Sequence, residues 1–299
     1  MEWITVQNCP LCGASSSQLF DQRTFRAYPV ENRLCTRCGL VYQSPRLSDQ
    51  ALEAFYAAEY RLAYQGSAGP TRKDLYVQEQ RAGVLADFLR RWLQEPAQPN
   101  TVLDIGCSSG LLLERLSKDF SLDGVGVEPG EAYREYARQR GLMVVAALHD
   151  LNQHRFGLVS MIHVLEHLPD PVAYLQNLRQ EHPVESGLLL VEVPNLYAHD
   201  SFEIAHLTSF SGRTLTQLLK KAGFSVLALR QHGAPRSKVL PLYLTALARS
   251  VAAPDAEVKI CPETEVRLKR RLGLLRRRLW ERLFPGKAWL PLPEEESRF

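Results

Sequence analysis

Between residues 101 and 250, short apolar segments alternate with longer amphipathic ones, and this alternation restricts the possible folds more than any other property of the chain. The apolar segments have the length and side chains of buried strands, and those between them have helical periodicity. Strands joined by helices form βαβ units, so we expect an α/β fold with a parallel sheet. The predicted strands are Thr101–Ile105, Gly124–Val127, Met143–Ala146, Leu158–Ile162, Leu188–Val193, Phe224–Leu229 and Leu242–Ala248. The predicted helices are Leu111–Asp119, Glu131–Arg140, Pro171–Glu181 and Thr214–Ala222.

The first predicted strand leads directly into a glycine turn, Gly106-Cys107-Ser108-Ser109-Gly110, which a helix follows. Small residues let a ligand approach the backbone closely, next to a helix N-terminus. Two glycines at a spacing of four do not form the G-x-G-x-x-G motif of dinucleotide-binding proteins. The carboxylate of Asp104 suits a cationic or hydroxyl-bearing ligand better than a pyrophosphate. The second strand is followed by Glu128, which is placed to bind a ribose diol.

These segments resemble the class I S-adenosylmethionine-dependent methyltransferases, whose first motif is close to V-L-D-x-G-x-G-x-G and whose second strand ends in an acid. Ser108 stands here in place of the middle glycine. Further segments at 161–171, 206–219 and 222–224 resemble the same family and occur in the same order. The resemblance covers about residues 80–250. It implies a Rossmann-like α/β fold with a seven-stranded sheet, methyl transfer as the reaction, and S-adenosylmethionine as the cofactor.

The resemblance also implies which residues contact the cofactor. Asp104 and Gly106 would face its amino-acid part, and Glu128 would hold the ribose hydroxyls. The two residues after the third strand would lie against the adenine, and His163 would close the methionine end. The full implied set is Asp104, Gly106, Cys107, Gly110, Glu128, Ala147, Leu148 and His163.

Four of the six cysteines form two C-x-x-C-G motifs near the N-terminus. Their spacing lets four thiolates surround one tetrahedral zinc ion, with no position left for a catalytic water. The predicted ligands are Cys9, Cys12, Cys35 and Cys38. A structural zinc would supply the folding free energy that so short a segment lacks. The alternatives are redox-active pairs and incidental cysteines.

The segment Leu40–Arg46 resembles the end of the zinc ribbon that precedes many bacterial small-molecule methyltransferases, some of which act on nucleotide-linked deoxysugars. We therefore predict four regions. They are a zinc ribbon at 1–45, a helical linker and cap at 46–98, the methyltransferase domain at 99–250, and a basic amphipathic helix with a tail at 251–299.

The sequence from His163 to His167 matches H-x-x-E-H, a motif of one class of metallopeptidases. That chemistry needs the motif on one helix, whereas here it leaves a strand and runs into Pro169. Some quinone-pathway methyltransferases are similar here, with a carboxylate at the first position, and bind a divalent ion. His163, Glu166 and His167 could do likewise. The alternative is that Glu166 and His167 orient the loop and the next helix.

Two histidines, His206 and His167, are the candidate catalytic residues. Positioning supplies much of the rate of a methyl transfer, and an oxygen or carbon acceptor usually also needs a base. His206 precedes the segment Leu207–Phe210, near the place where class I acceptor sites open. Sugar C-methyltransferases that this chain resembles have a histidine there, but after an acid rather than after Ile204-Ala205. The alternative is that His206 caps or orders the loop.

Residues 265–287 combine a leucine stripe with positive charge. The leucines at 268, 272, 275, 279 and 283 share one helical face. Nine Lys and Arg against two Glu give this segment a net charge of +7, whereas the whole chain carries only +3. The helix is expected either to pack its leucines on the core, to dock on a membrane surface, or to contact RNA or an acidic partner.

The sequence thus predicts methyl transfer from S-adenosylmethionine to a small-molecule acceptor, such as a sugar or polysaccharide precursor. A small net charge makes nucleic acid an unfavoured partner. The alternatives are a methyltransferase acting on RNA or protein and a non-catalytic cofactor-binding scaffold. With no long apolar run and no secretion signal at the start, we expect a cytoplasmic protein. A peripheral position on the inner face of the membrane, through residues 265–287, is compatible with this expectation.

Overall fold

The computed structural model describes residues 2–58, 66–67, 69–93, 100–151, 154–252 and 258–293. The N-terminal part contains β1 (Trp3–Ile4), β2 (Ser17–Phe25), β3 (Tyr28–Cys35), β4 (Val41–Gln43), β5 (Arg46–Leu47), α1 (Asp49–Ala58) and α2 (Arg72–Leu89). The central part contains β6 (Thr101–Ile105), α3 (Leu111–Phe120), β7 (Asp123–Val127), α4 (Glu131–Gln139), β8 (Met143–Val145), β9 (Phe156–Ile162), α5 (Pro171–Glu181) and β10 (Pro183–Pro194). The last part contains β11 (Thr208–Ser209), α6 (Gly212–Lys221), β12 (Phe224–His232), β13 (Tyr243–Ser250), α7 (Val266–Leu283) and α8 (Pro285–Ala288).

The central sheet has seven strands in the order β12-β13-β10-β9-β6-β7-β8, which confirms the predicted Rossmann-like architecture. The order reverses around β6, because β7 and β8 continue on one side of it and β9 and β10 on the other. Crevices that bind ligands form at such switch points, outside the carboxyl ends of the strands. The fold therefore directs attention to the residues that follow β6, β7 and β9.

The expectation that all strands run parallel was wrong for β13. This strand is antiparallel to both of its neighbours, β10 and β12. A parallel connection needs a crossover of a dozen or more residues, whereas only residues 233–242 join β12 to β13. The short connection therefore turns the chain back on itself.

A second sheet contains the N-terminal strands in the order β11-β4-β3-β2. Its edge strand β11 follows β10 in the chain, and Thr208 of β11 pairs with Tyr42 of β4. The backbone nitrogen of Gln43 also donates to the carbonyl oxygen of Leu207 at 2.8 Å. The cysteine-rich segment is thus joined by backbone hydrogen bonds to the loop that carries His206.

The predicted linker at 46–98 contains α1 and α2, while its residues 59–65, 68 and 94–98 lie outside the described residues. Helix α2 begins at Thr71, whose hydroxyl oxygen accepts a hydrogen bond from the backbone nitrogen of Asp74 in a capping box. Its apolar residues, including Leu85 and Leu89, pack with Leu113 and other residues of α3. This packing turns the polar face of α2 toward the carboxyl end of the sheet.

The orientation of helix α7 contradicts one expectation from its sequence, namely that the leucine stripe packs on the core with the arginines in solvent. Instead the side chain of Arg270 is buried, whereas Leu268, Leu272, Leu275, Leu279 and Leu283 are all exposed. No helix within the described part of the chain has the length and hydrophobicity that a membrane span requires.

Candidate functional site

The glycine turn after β6 brings the ends of β6 and β7 together. The backbone nitrogen of Gly106 donates to the carbonyl oxygen of Val127 at 2.8 Å. Gly106 has a φ of +71°, and a Cβ added there would lie 2.6 Å from the Val164 side chain. Any larger residue would close this corner, so glycine keeps the backbone accessible.

The acid predicted to bind a ribose is held rigidly at the end of β7. One carboxylate oxygen of Glu128 accepts a hydrogen bond from the backbone nitrogen of Ser108 at 3.0 Å, and the other accepts from Gly130 at 2.8 Å. Glu128 is only 4% exposed. Both carboxylate oxygens are thus oriented by backbone donors of the glycine turn and of the loop after β7.

A cavity of about 670 Å³ opens at the carboxyl ends of β6, β7 and β9. Six of the residues that the sequence predicted for the site line it, namely Asp104, Gly106, Cys107, Glu128, His163 and His167. Four predicted residues, Gly110, Ala147, Leu148 and His206, are not among its lining residues. Cavities of this size hold small-molecule ligands and cofactors.

The non-lining residues have other surroundings. Gly110 begins α3 with a φ of +77° and packs against Leu142 and Ala137. The backbone nitrogen of Ala147 donates to Asp150 at 3.1 Å, and Leu148 packs partly against the main core. Gly110 is thus packed within the turn, whereas Ala147 contacts a neighbouring loop residue and Leu148 contacts the core.

The cavity wall also contains residues of α1 and α2, which lie in the region predicted as a linker and cap and which the sequence did not single out for the site. The lining residues from these helices include Tyr56, Lys73, Gln78 and Arg81. The hydroxyl of Ser109 donates to Gln78 Oε1 at 2.5 Å, which ties α2 to the glycine turn. Residues 195–212, which include the candidate His206, are not among the lining residues.

A charge network that the sequence did not reveal extends from the cavity wall into the core. His163 contacts Glu166 through Nδ1 at 3.1 Å and Glu192 through Nε2 at 3.3 Å. Arg81 forms an ion pair with Glu192 at 2.9 Å, and His232 also approaches this carboxylate. The one available signal was Glu192 itself, a charged residue in the middle of an apolar strand.

The contacts in this network shift the pKa values of His163 and Glu166. Burial and the charge of Arg81 act to lower the pKa of His163, but its hydrogen bonds to Glu166 and Glu192 raise the pKa overall. Burial alone would raise the pKa of Glu166, yet the hydrogen bond from His163 and the charge of His167 lower it to about 2. The two carboxylates thus favour the protonated form of His163 more than water does for a free imidazole.

The H-x-x-E-H motif ends in a single 3₁₀ turn, Leu165–His167, and not in a continuous helix. The sequence suggested His163, Glu166 and His167 as possible ligands of a divalent ion, but the structure brings His206, and not His163, together with the other two. Ligand atoms of Glu166, His167 and His206 lie within 4.8 Å of one another. Two imidazoles and a carboxylate form a donor set that divalent ions accept.

The four predicted cysteines come together at one point. The Sγ atoms of Cys9 and Cys38 lie 3.5 Å apart, as do those of Cys12 and Cys35, and all four sulfurs lie within 4.8 Å of one another. Zinc–sulfur bonds of about 2.3 Å at tetrahedral angles separate the sulfurs by about 3.8 Å. The cluster therefore fits a structural zinc ion.

A family model described as a methyltransferase domain matches residues 77–229, just over half of the chain. The ubiquinone biosynthesis O-methyltransferase of Vibrio cholerae is 34% identical over 86 residues, which covers 25% of this chain and 35% of that protein. The enzyme of the same name from Histophilus somni is 29% identical over 105 residues, which covers 30% of this chain and 44% of that protein. The chain thus matches less than half of the length of these curated relatives.

Among solved structures, a Burkholderia thailandensis 1,6-didemethyltoxoflavin-N1-methyltransferase with bound 1,6-didemethyltoxoflavin and S-adenosylhomocysteine aligns with a TM-score of 0.55 at 17% identity. The alignment covers 78% of this chain and 100% of that one. At such low identity, the likeness concerns the fold. Because the family model spans more than half of the sequence, this protein is a member of the S-adenosylmethionine-dependent methyltransferases.

Proposed function

We propose that this protein transfers the methyl group of S-adenosylmethionine to a hydroxyl group of a small-molecule acceptor. The observation that carries this proposal is the continuity of one cavity, whose lining includes both Glu128 and His167. The O-methyltransferase names of the Vibrio and Histophilus relatives support an oxygen acceptor. The comparisons do not extend to the sugar or polysaccharide precursor that the sequence suggested, which stays a prediction.

Glu128 and Asp104 are the residues that we assign to the cofactor. The carboxylate of Glu128, held in the cavity wall at the end of β7, suits a ribose diol, and the buried carboxylate of Asp104 suits the ammonium group of an amino acid. The missing side chain of Gly106 leaves room for close approach to the backbone. When bound, S-adenosylmethionine supplies an electrophilic methyl group, so the chain itself needs to align the acceptor and remove its proton.

Cofactor affinity should depend on pH through Asp104. Burial raises the pKa of this carboxyl to about 7, against the opposing effect of the 2.7 Å hydrogen bond from Ser160. Only the ionised form attracts an ammonium group, so affinity is complete above pH 7 and is lost as the pH falls. Isothermal titration should give a Kd about tenfold weaker near pH 6 than near pH 8. The same slope in the Asp104→Asn variant would contradict the assignment.

His167 is the residue that we propose as the base. Its Nδ1 lies 2.9 Å from the carbonyl oxygen of Ala205, which favours the tautomer with the proton on Nδ1 and the lone pair on Nε2. The edge of the Tyr56 ring contacts the imidazole, with 5.9 Å between the ring centroids. His167 lines the cavity, so an acceptor hydroxyl can reach it.

His206, the first candidate from the sequence, fits a positioning role. Its ring packs against His167 with 4.8 Å between centroids, and its Nδ1 lies 2.9 Å from the carbonyl oxygen of Ser201. Burial and the neighbouring His167 lower the pKa of His206 to about 3, although the Glu166 charge opposes this. A neutral His206 can support His167 without adding a second positive charge when His167 takes up a proton.

Replacing His167 with Ala should lower kcat by about 10²–10⁴-fold, because the acceptor loses its base. The affinity for S-adenosylmethionine should change little. Methyl transfer would be measured by release of S-adenosylhomocysteine with panels of small-molecule phenols and of sugar nucleotides. The exposed His149 provides a control, and His149→Ala should retain full activity. An unchanged rate in His167→Ala would refute the assignment.

Two further arms separate other roles of the same residues. The His206→Ala variant should lose less activity than His167→Ala and should shift the pH–rate profile, whereas an equal or larger loss would make His206 the base. Added Mg²⁺ or Mn²⁺ should leave the wild-type rate unchanged. If either ion is required, His167 acts as a metal ligand together with Glu166 and His206.

The same assays address the alternatives raised by the sequence. Cofactor binding without turnover on either panel would favour the scaffold, and retention of RNA on a filter would favour an RNA substrate. The predicted membrane contact through residues 265–287 is separate from the reaction, since none of these residues lines the cavity.

A further inference from the structure

Helix α7 attaches to the protein through its basic face. The buried guanidinium of Arg270 donates to the backbone oxygens of Leu196 and His199 and to Asp200 Oδ1, the last at 2.9 Å. It also lies 4.1 Å from the centroid of the Phe202 ring. One side chain thus satisfies several acceptors at once, in a position where an apolar residue would leave them without partners.

A glycine in the middle of α7 makes this orientation specific. A Cβ added at Gly273 would lie 1.9 Å from the backbone oxygen of Tyr197, so only glycine allows the approach. On the next turn, Arg277 donates to the carbonyl oxygen of Ala198 at 3.3 Å and to Glu281 at 2.8 Å. Rotating the helix to bury its leucines would break all of these contacts.

The opposite face of α7 is consequently apolar at its centre and basic at its margins. The exposed fractions of its five leucines lie between 49% and 57%. The exposed basic residues beside this stripe are Arg271, Arg276, Arg278 and Arg282. The only acid within the helix, Glu281, is held by Arg277 and by the indole nitrogen of Trp289 at 3.0 Å. Within α7, the outward face, which we call the Leu–Arg face, therefore carries no negative charge, and the exposed acid at the N-cap is Glu265.

We propose that the Leu–Arg face of α7 docks on the surface of an anionic lipid bilayer, with the helix axis parallel to the membrane plane. Leucines at the centre can enter the boundary of the acyl chains, while flanking arginines pair with anionic headgroups. The helix has 18 residues and is about 27 Å long, so it lies on the surface as a compact patch. The proposal does not depend on the proposed reaction.

The charge of the face decides between the possible occupants. If two copies of this chain met through it, each would present four exposed arginines of α7 against a single exposed acid at the helix end, Glu265. Like charges in contact cost free energy, so a symmetric dimer is disfavoured. An anionic bilayer complements both parts of the face, because its headgroups pair with the arginines and its acyl chains accept the leucines.

Co-sedimentation of the full chain with lipid vesicles tests the proposal. The protein should sediment with vesicles that contain phosphatidylglycerol, should stay in the supernatant with phosphatidylcholine alone, and should be released as salt increases. The double variant Leu272→Ser/Leu275→Ser should bind at least about tenfold more weakly. Because both side chains are exposed, its melting temperature should match that of the wild type.

Two controls make the result specific. Met143 is also a largely exposed apolar residue, at 59%, and Met143→Ser should bind vesicles as the wild type does. The double variant Arg278→Gln/Arg282→Gln should bind vesicles that contain phosphatidylglycerol more weakly than the wild type does. Equal binding by the leucine variant, or no binding by the wild type, would overturn the proposal. So would a wild-type dimer in analytical ultracentrifugation that the leucine substitutions dissociate.

Discussion

Replacing Cys38 with Ser should remove the bound zinc and lower the melting temperature by about 10 °C or more. Cys38 is fully buried, and its Sγ lies 3.5 Å from that of Cys9. Structural zinc contributes folding free energy directly, and its loss leaves buried thiols without their cation. A loss of about 6 kcal/mol corresponds to roughly this shift in a protein of this size. Metal content would be measured by mass spectrometry, and melting by calorimetry.

The effect should extend beyond the N-terminal sheet. Cys9, Cys35 and Cys38 belong to the same core cluster as residues of the central sheet. The backbone nitrogen of Glu263 also donates to the carbonyl oxygen of Cys38 at 2.9 Å. Because these contacts cross between the two sheets, we expect one cooperative transition at a lower temperature. We do not expect a separate melting of the first 45 residues.

The exposed Cys261 is the matched control, and Cys261→Ser should keep both the zinc and the melting temperature. A Cys38→Ser variant that retains a full equivalent of zinc would contradict the assignment of the cluster. The geometry also argues against the redox alternative. Two sulfur pairs that join different C-x-x-C motifs lie 3.5 Å apart, so the four thiols form a single cluster and not two separate pairs.

Replacing Glu128 with Ala should weaken binding of S-adenosylmethionine by at least about 100-fold. Each charge-assisted hydrogen bond to a ribose hydroxyl is worth about 1.5–3 kcal/mol, and two of them would be lost. The variant also leaves the backbone nitrogens of Ser108 and Gly130 without their acceptor. The glycine turn would therefore lose part of its order. Isothermal titration with S-adenosylmethionine and with S-adenosylhomocysteine measures both effects.

Two variants help to interpret that result. Glu131, three residues further along the chain in the first turn of α4, is exposed, so Glu131→Ala should bind as the wild type does. Glu128→Gln keeps the shape of the side chain but only one acceptor oxygen, so its affinity should be intermediate. An unchanged Kd in Glu128→Ala would rule out the ribose contact.

The sequence was most informative where the physical signal is local. A strand of the central sheet is a short apolar run because both of its faces are buried, and Thr101–Ile105 was predicted to the residue. The helix Pro171–Glu181 was also predicted to the residue. It begins with proline at its first position, and Asp170 caps it. The cysteine motifs are likewise a local signal, because the spacing within each C-x-x-C motif determines which thiols can bind the same ion.

Contacts between distant segments were not visible in the same way. Arg81 and Glu192 are far apart in the chain, and nothing in the periodicity of α2 indicates that one of its basic residues faces a buried strand. The approach of His206 to His167 likewise depends on the pairing of β11 with β4. Such pairs form only when helices and sheets are packed, since they are set by the shape of the whole core.

The sequence by itself thus determined the strands of the central sheet, most of the helices, the glycine turn with Asp104 and Glu128, and the four cysteines, because each depends on neighbouring residues. Only the tertiary structure decided the direction of β13, the charge network around His163, and the face that α7 presents outward. Helix amphipathicity favours burial of the leucines of α7. The backbone oxygens of residues 196–199 and the close approach of Gly273 to Tyr197 outweigh that preference. These partners come together only in the folded chain.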